Sequence, residues 1–186
     1  MSHTEIRSAR LTLRTLTEAD IDSTWQYRQR EELTTWTAAY FTSRDQWEEF
    51  VRDPRAIRLA IETHDGTLVG DASIAVTDAW AQLGADASPA RRSQAELGWS
   101  IDPLHAGRGY ASEAARELLR FCFDQLGVRR VTASAFADNA ASIRVMQKIG
   151  MRHDGTTRAD SFHATRGWTD GAWYAILAGE WRAAQG

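Results

Sequence analysis

The chain has a single cysteine, Cys122, among its 186 residues. No intramolecular disulfide and no cysteine-based zinc cluster can therefore form. Cys122 lies between Phe121 and Phe123 inside a helical pattern and reads as a small core residue. No base stands by to make it a nucleophile. Basic charge is not in excess either. Lysine and arginine together number 22 against 25 acids, a net charge of −3. A dedicated nucleic-acid binder needs a dense basic footprint, so no nucleic-acid partner is expected and only a local basic patch is left open. No stretch approaches the ~18 apolar residues of a membrane span, and Met1 to Arg7 carries no apolar signal core. The expectation is a soluble, cytoplasmic protein without a membrane partner. His3, His64, His105, His153 and His163 show no metal-ligand spacing such as His-Glu-x-x-His, so no metal is expected. Two phosphate motifs are also missing. There is no Gly-x-x-x-x-Gly-Lys-Ser/Thr, and Ser112 stands where Gly-x-Gly-x-x-Gly would need its third glycine. Internal repeats and low-complexity segments are lacking as well.

What is present suits one domain over residues 1–186, since roughly 100–200 residues per domain is usual. The apolar share of 43% is enough for a core. Arg10 to Leu16 alternates as a half-buried strand does. Thr17 caps a helix reaching about Arg30, with acids in its first turn. Glu31 to Thr42 is irregular. Ser43 caps a second helix, ended by Asp53-Pro54, with Trp47, Phe50 and Val51 facing inward. Ile57–Thr63 and Leu68–Thr77 form a hairpin about an Asp65-Gly66 turn. A long loop follows to Gln94; loops of that length are usually functional or mobile. Leu97–Ile101 is a buried strand, stopped by Asp102-Pro103. Ala111, Ala114, Ala115, Leu118, Leu119, Cys122, Phe123 and Leu126 mark one helical face, with Glu113, Arg116, Glu117, Arg120 and Asp124 opposite. Gly127 caps that helix. Arg130–Phe136 is a strand, Asp138-Asn139 opens a helix that Gly150 ends, and strands are expected over Met151–Ala159 and Gly171–Gly179. Helices among hairpin strands predict an α/β fold with a mixed, mostly antiparallel central sheet flanked by helices.

The informative stretch is Leu97 to Arg116, a strand, a loop and a helix start. Gly107, Gly109 and Ala111 are small residues just before a helix. They let the backbone turn tightly and let a ligand approach its amides. With the helix dipole behind them, those amides form an anion site for a phosphate or pyrophosphate. Read without a ligand, the same residues are a glycine-rich turn.

Four motifs now stand in order: Glu96-Leu-Gly-Trp99, Ala106-Gly-Arg-Gly-Tyr-Ala-Ser-Glu-Ala114, Asp138-Asn-Ala-Ala-Ser-Ile-Arg-Val-Met-Gln-Lys-Ile-Gly-Met151 and Asp170-Gly-Ala-Trp-Tyr-Ala-Ile-Leu-Ala-Gly-Glu-Trp181. In these the chain resembles the GNAT superfamily of N-acetyltransferases, nearest the branch that acetylates alanine or serine N-termini of ribosomal proteins. The resemblance implies the acyl-coenzyme A N-acyltransferase fold and acetyl-coenzyme A as co-substrate. It further implies a pyrophosphate held by Ala106, Gly107, Arg108, Gly109, Tyr110, Ala111 and Ser112. Backbone amides of Trp99, Ser100 and Ile101 would pair with pantetheine and steady the thioester oxygen. Asn139 would bond the pantetheine arm and Ser142 would protonate the departing thiolate; without a ligand, both simply cap a helix. Two positions depart from the pattern. Ala106 stands where the phosphate loop often begins with glutamine or arginine, and Met146 where many members carry a tyrosine acid.

Acyl transfer to an amine requires the amine to be neutral. A lysine amine has a pKa near 10.4 and an α-amine near 7.7–8.0, so a base must act directly or through water. Glu96 is the candidate. Trp36, Tyr40 and Phe41 are candidates to wall the acceptor site, and Asp170 and Glu32 to attract a cationic amine, although both acids also read as solvated. Of Trp25, Trp36, Trp80, Trp168 and Trp173, most read as core or loop packing. The expected activity is acetyl transfer to a primary amine, on a peptide N-terminus or a small molecule, by direct attack in a ternary complex. Two alternatives are a coenzyme A-binding module without catalysis, which Ala106 and Met146 favour, and an unrelated nucleotide-binding domain. A homodimer is left open.

Overall fold

The computed structural model describes residues 4–82 and 84–185; His3 and part of the loop before Gln94 lie outside the described residues. Eight strands make one sheet. They are β1 (Glu5–Arg7), β2 (Leu11–Thr15), β3 (Ala56–Thr63), β4 (Leu68–Thr77), β5 (Gln94–Ile101), β6 (Arg130–Phe136), β7 (Arg152–His163) and β8 (Gly167–Leu177). Their spatial order is β1-β2-β3-β4-β5-β6-β8-β7. Every neighbouring pair runs antiparallel except β5 and β6. A parallel pair needs a long crossover, and α4 (Tyr110–Asp124) supplies it. The other helices are α1 (Ile21–Arg28), α2 (Glu31–Thr34), α3 (Arg44–Arg52), α5 (Ala140–Lys148) and α6 (Ala178–Ala183). None of the described helices is long and apolar enough to cross a membrane.

The 3.6-residue spacing of α4 places Ala114, Ala115, Leu118, Leu119, Cys122 and Phe123 in the core. Each buried leucine contributes about 1.5–3 kcal/mol. Gly127, at φ +66°, lets the Val128 amide return to the Cys122 carbonyl at 3.2 Å and close the helix. Against this face β5 turns Ala95 and Leu97, while Glu96 and Gly98 look the other way. β4 divides likewise: Ala72 and Ile74 join the α4 core, and Asp71 faces α1 on the opposite side.

Several boundaries differ from the sequence reading. β5 begins at Gln94, three residues before the apolar run, because its early positions alternate polar and buried. Glu96 therefore sits inside the strand rather than at its start. β8 runs from Gly167, and Ala178 and Gly179 belong to α6, which buries Trp181. Glu31 to Thr34 is a short helix, not irregular chain. β7 continues past Ala159 to His163, with shifts in register on the way.

Candidate active site

β5 and β6 pair only from Gln94–Glu96 to Arg130–Thr132. Beyond that point β6 follows β8, pairing from Ala133–Tyr174 to Phe136–Gly171. The edge of β5 from Leu97 to Ile101 is left without a strand partner on that side. An opening in a sheet exposes main-chain donors and acceptors to any ligand that can lie along it as an added strand. A cleft of about 1330 Å³ occupies the opening, lined by Leu97, Gly98, Trp99 and Ser100 on one side and by Ser134, Phe136, Asn139 and Ser142 on the other. Gly98 approaches β4 closely there: a Cβ would stand 2.8 Å from Ser73 Oγ, so a larger residue would have to displace that hydroxyl.

At the C-terminal end of β5, Asp102 Oδ1 accepts from the Leu104 amide at 3.0 Å, and a short 3-10 turn leads to Ala106. The Ala106 amide is spent on the Pro103 carbonyl at 3.2 Å. From Gly107 to Ser112 the position changes. Gly107 and Gly109 both hold left-handed backbone, φ +76° and +82°, and no protein acceptor meets any of the six amides among the described residues. Six bare N–H groups at the start of a fifteen-residue helix form an anion cradle.

The sequence reading missed what braces this loop. Glu113, placed there on a solvated face, accepts from Ser8 Oγ at 2.7 Å, from the Arg10 amide at 2.8 Å and from Arg10 Nε at 2.7 Å. Burial pushes its carboxyl up, but these hydrogen bonds outweigh burial and hold its pKa below the ordinary value. Arg10 Nη1 in turn donates to the Arg108 carbonyl at 3.1 Å, and its guanidinium lies 5.0 Å from the Tyr110 ring. The loop carbonyl is thus tied back to β2's approach.

Glu96 is exposed to the cleft and accepts from Ser134 Oγ at 3.2 Å. Asn139 is buried at the N-cap of α5, its Oδ1 accepting from the Ser142 amide at 3.1 Å. The Ser142 hydroxyl has no hydrogen bond among the described residues and lines the cleft. Met146, one turn later, is fully buried and faces the core. Cys122 is enclosed too, and burial pushes its thiol up to about 12.

The acceptor-side candidates divide. Trp36 and Tyr40 line the cleft. Phe41 does not; it packs on Trp47 and Phe50 with ring centroids 5.5 and 5.0 Å away. Asp170 is exposed, as its solvated reading has it, and accepts from the Ala159 amide at 2.8 Å, and Glu31 rather than Glu32 borders the cleft. Trp80 is 90% and Trp168 66% exposed, so neither is a core residue, although Trp168 packs edge-on against the Phe162 ring with centroids 5.3 Å apart. His163 Nε2 donates to the Thr35 carbonyl at 2.8 Å, fastening the β7–β8 hairpin to the segment after α2. Among the described residues no group of three histidine, cysteine or acidic side chains converges as a metal site. The sequence reading also missed Tyr27, Arg28 and Asp71, which meet in the cleft floor.

Comparison with known proteins places this geometry. A family model described as "Acetyltransferase (GNAT) domain" matches residues 10–152. The Bacillus subtilis protein YnaD, described as an uncharacterized N-acetyltransferase, is 40% identical over 86 residues, covering 46% of this chain and 50% of that protein. The chain spans between 50% and 62% of the length of the first curated relatives it matches. A GNAT-family acetyltransferase from Bacillus anthracis superposes with a TM-score of 0.78 and 26% identity, over 95% of this chain and 99% of that one. Mycobacterium smegmatis RimJ in complex with CoA-disulfide shares the fold at a TM-score of 0.74 and 20% identity, over 98% and 94% of the two chains.

Proposed function

The chain belongs to the GNAT acetyltransferase family, and from that premise we propose that it transfers an acetyl group from acetyl-coenzyme A to a primary amine. The observation that carries the reading is the row of six unpaired amides from Gly107 to Ser112, set at the end of a strand whose own edge is open. When bound, the co-substrate supplies an activated acyl carbon. The protein's residues do the rest. The amides of Gly107 to Ser112 hold the diphosphate, with the α4 dipole behind them. Ala106 contributes no main-chain donor, because its amide is already bonded. Arg108, exposed beside the cradle, adds charge. The open edge at Trp99, Ser100 and Ile101 pairs with the pantetheine amides and faces the charge that gathers on the thioester oxygen.

Glu96 accepts the proton that the amine must lose, with Ser134 Oγ fixing the carboxylate. Ser142, its hydroxyl uncommitted at the first turn of α5, donates to the departing thiolate, and Asn139 anchors the pantetheine arm beside it. Transfer is direct. The lone cysteine is buried with its thiol pushed up to about 12 and can carry no acyl group. The acceptor is an amine on a peptide N-terminus or a small molecule.

Release of free thiol from acetyl-coenzyme A over a panel of amines and N-terminal peptides tests the reading. Turnover is expected, with Glu96→Gln lowering kcat about 100-fold or more at pH 7. Full rate in Glu96→Gln across pH 6–9 would place the base elsewhere. One observation favours a second reading, a coenzyme A-binding module without catalysis: Met146 is fully buried, so no proton donor stands at that helix position. Tight coenzyme A binding without turnover on any acceptor would select it.

A further inference from the structure

The cleft floor holds a group of charges that the transfer step does not use. Tyr27 and Arg28 end α1, and both reach Asp71 on β4. Tyr27 Oη donates to Asp71 Oδ2 at 2.6 Å, and Arg28 Nε to the same oxygen at 3.2 Å. Arg28 Nη2 pairs with Asp71 Oδ1 and approaches Ser100 Oγ at 3.4 Å. Burial, with the Asp71 charge beside it, pushes the Tyr27 phenol well above its ordinary value, so it stays a donor. All four residues are buried. The Trp47 ring backs the Arg28 guanidinium at 4.0 Å. One nitrogen remains: Arg28 Nη1 is enclosed and has no hydrogen-bond acceptor.

Arg58 stands close by. It comes from β3, paired with Ser73 of β4, which is paired in turn with Gly98 of β5. Directly opposed residues of an antiparallel pair share a face, so Arg58 is on the cleft side and lines it. Its guanidinium lies 3.8 Å from the Phe50 ring, and Nε donates to the Phe50 carbonyl at 3.2 Å. It forms no ion pair among the described residues. The neighbouring Asp53 is engaged by Arg55 instead. Burial lowers the Arg58 pKa in spite of Asp53 and Asp71.

Asp71 answers the charge of Arg28 and Arg55 that of Asp53, so the Arg58 guanidinium is left without an ion-pair partner among the described residues, and Arg28 Nη1 is a further N–H donor without an acceptor. Buried charge and buried donors are costly unless something completes them. We propose that this cluster is a carboxylate subsite and that the acceptor is an amine carrying a carboxylate a few ångströms from its nitrogen, as an α-amino acid does. The proposal rests on the acetyl-transfer reading above. A single surplus charge matches a carboxylate better than a phosphate dianion, and a planar guanidinium suits a carboxylate's two oxygens. The placement agrees. Glu96, Gly98 and Ser100 face the cleft from alternate positions of β5. Arg58 is in register with Gly98 through Ser73, so a carboxylate drawn to it would bring the attached amine to the face of β5 that carries Glu96.

Thiol release from acetyl-coenzyme A, measured with free L-amino acids, the matching amino-acid amides, peptides beginning with Asp or Glu, and phosphoethanolamine, tests the subsite. Acids are expected to exceed their amides in kcat/KM by about tenfold or more, the usual effect of losing a hydrogen bond to a charged group. Arg58→Gln should pull the acid-to-amide ratio toward one. Arg28→Lys, which keeps a cation on Asp71 while removing Nη1, should do the same, with thermal melting checking that each variant is folded. Preference for acidic N-terminal peptides over free amino acids would keep the carboxylate and move its source to a side chain. A ratio near one in the native enzyme, a ratio untouched in folded Arg58→Gln, or preference for phosphoethanolamine overturns the proposal and leaves acetyl transfer standing. If no amine is acetylated, the transfer reading fails. Calorimetric titration with N-acetyl amino acids and their amides then decides the subsite alone, and equal or absent binding rejects it.

Discussion

Gly109→Ala isolates the anion cradle from the rest of the molecule. Gly109 holds φ at +82° immediately before α4, between amides that have no acceptor in the protein. A Cβ at this position would find Arg10 Nη2 at 3.5 Å, an ordinary contact. The substitution therefore introduces no clash, only the penalty of left-handed backbone for an L side chain, about 1–2 kcal/mol. Relief of that strain in the free protein requires the Arg108–Gly109 peptide plane to turn and give up its hydrogen bond from Arg10 Nη1; the exposed variant loop is expected to do so when no diphosphate holds its amides. In the complex the amides must face the diphosphate, so binding restores the strain. A cost of 1–2 kcal/mol weakens coenzyme A by about 5–30-fold, and more if one charge-assisted hydrogen bond is lost outright. Pantetheine lacks the diphosphate and should change less than about twofold, taking that as the limit of an indirect effect. Calorimetric titration of both ligands gives the comparison. Equal loss for the two would mean that the substitution acts on the sheet edge or the fold. Undiminished coenzyme A affinity would refute the claim that these amides carry the diphosphate.

Asn139→Ala should remove the N-cap of α5 and lower stability by about 0.5–2 kcal/mol, read as a fall in melting temperature, while Asn139→Ser, which can accept from the Ser142 amide, recovers most of it. Asp20 gives a pH-dependent case. Burial raises its pKa, but hydrogen bonds from Arg14 and from the Thr17 amide and hydroxyl outweigh burial, so the folded pKa lies below the unfolded one. Its contribution is thus present above about pH 4 and lost as pH falls through the depressed folded value. Thermal melts of Asp20→Asn against native protein should differ at pH 7 and converge in acid; a constant difference would show that Asp20 does not supply the acid limb. Cys122, with its thiol pushed up to about 12, should resist alkylation at pH 8 in the native protein and react only on unfolding. Rapid labelling of the folded chain would contradict its enclosure.

The sequence was legible where short-range chemistry decides structure. The alternation of β2, the Ala and Leu spacing of α4, the Ser43 cap of α3 and the Asp65-Gly66 turn all act over a few residues, and each appears where expected. Gly107 and Gly109 were readable because only a few residue types accept their backbone. What escaped was set by distance along the chain. Glu113 meets Arg10 across 103 residues, and nothing local separates it from the exposed Arg116 and Arg120 of the same helix. Arg28 meets Asp71 across 43 residues; a charged residue at the end of a helix and another in a strand give no sign that they share a buried site. Phe41 failed for a related reason. Residue type suggested a pocket wall, but local packing on Trp47 had the prior claim.

The geometry converges on β5, and its pleat explains why. Ala95 and Leu97 lie under α4 and hold the strand against the core. The alternate residues are then obliged to face the cleft, Glu96 at one end and Ser100 beside Arg28 at the other. The same strand runs through Asp102-Pro103 into the amide row, so its direction fixes where a diphosphate held as proposed would sit relative to Glu96. The opening along its edge has a separate cause. β6 leaves β5 after Thr132 but stays paired with β8 through Phe136, and the sheet's twist carries that pair away as a unit. The part of the fold that a ligand would complete is a strand position that no strand of the described chain fills.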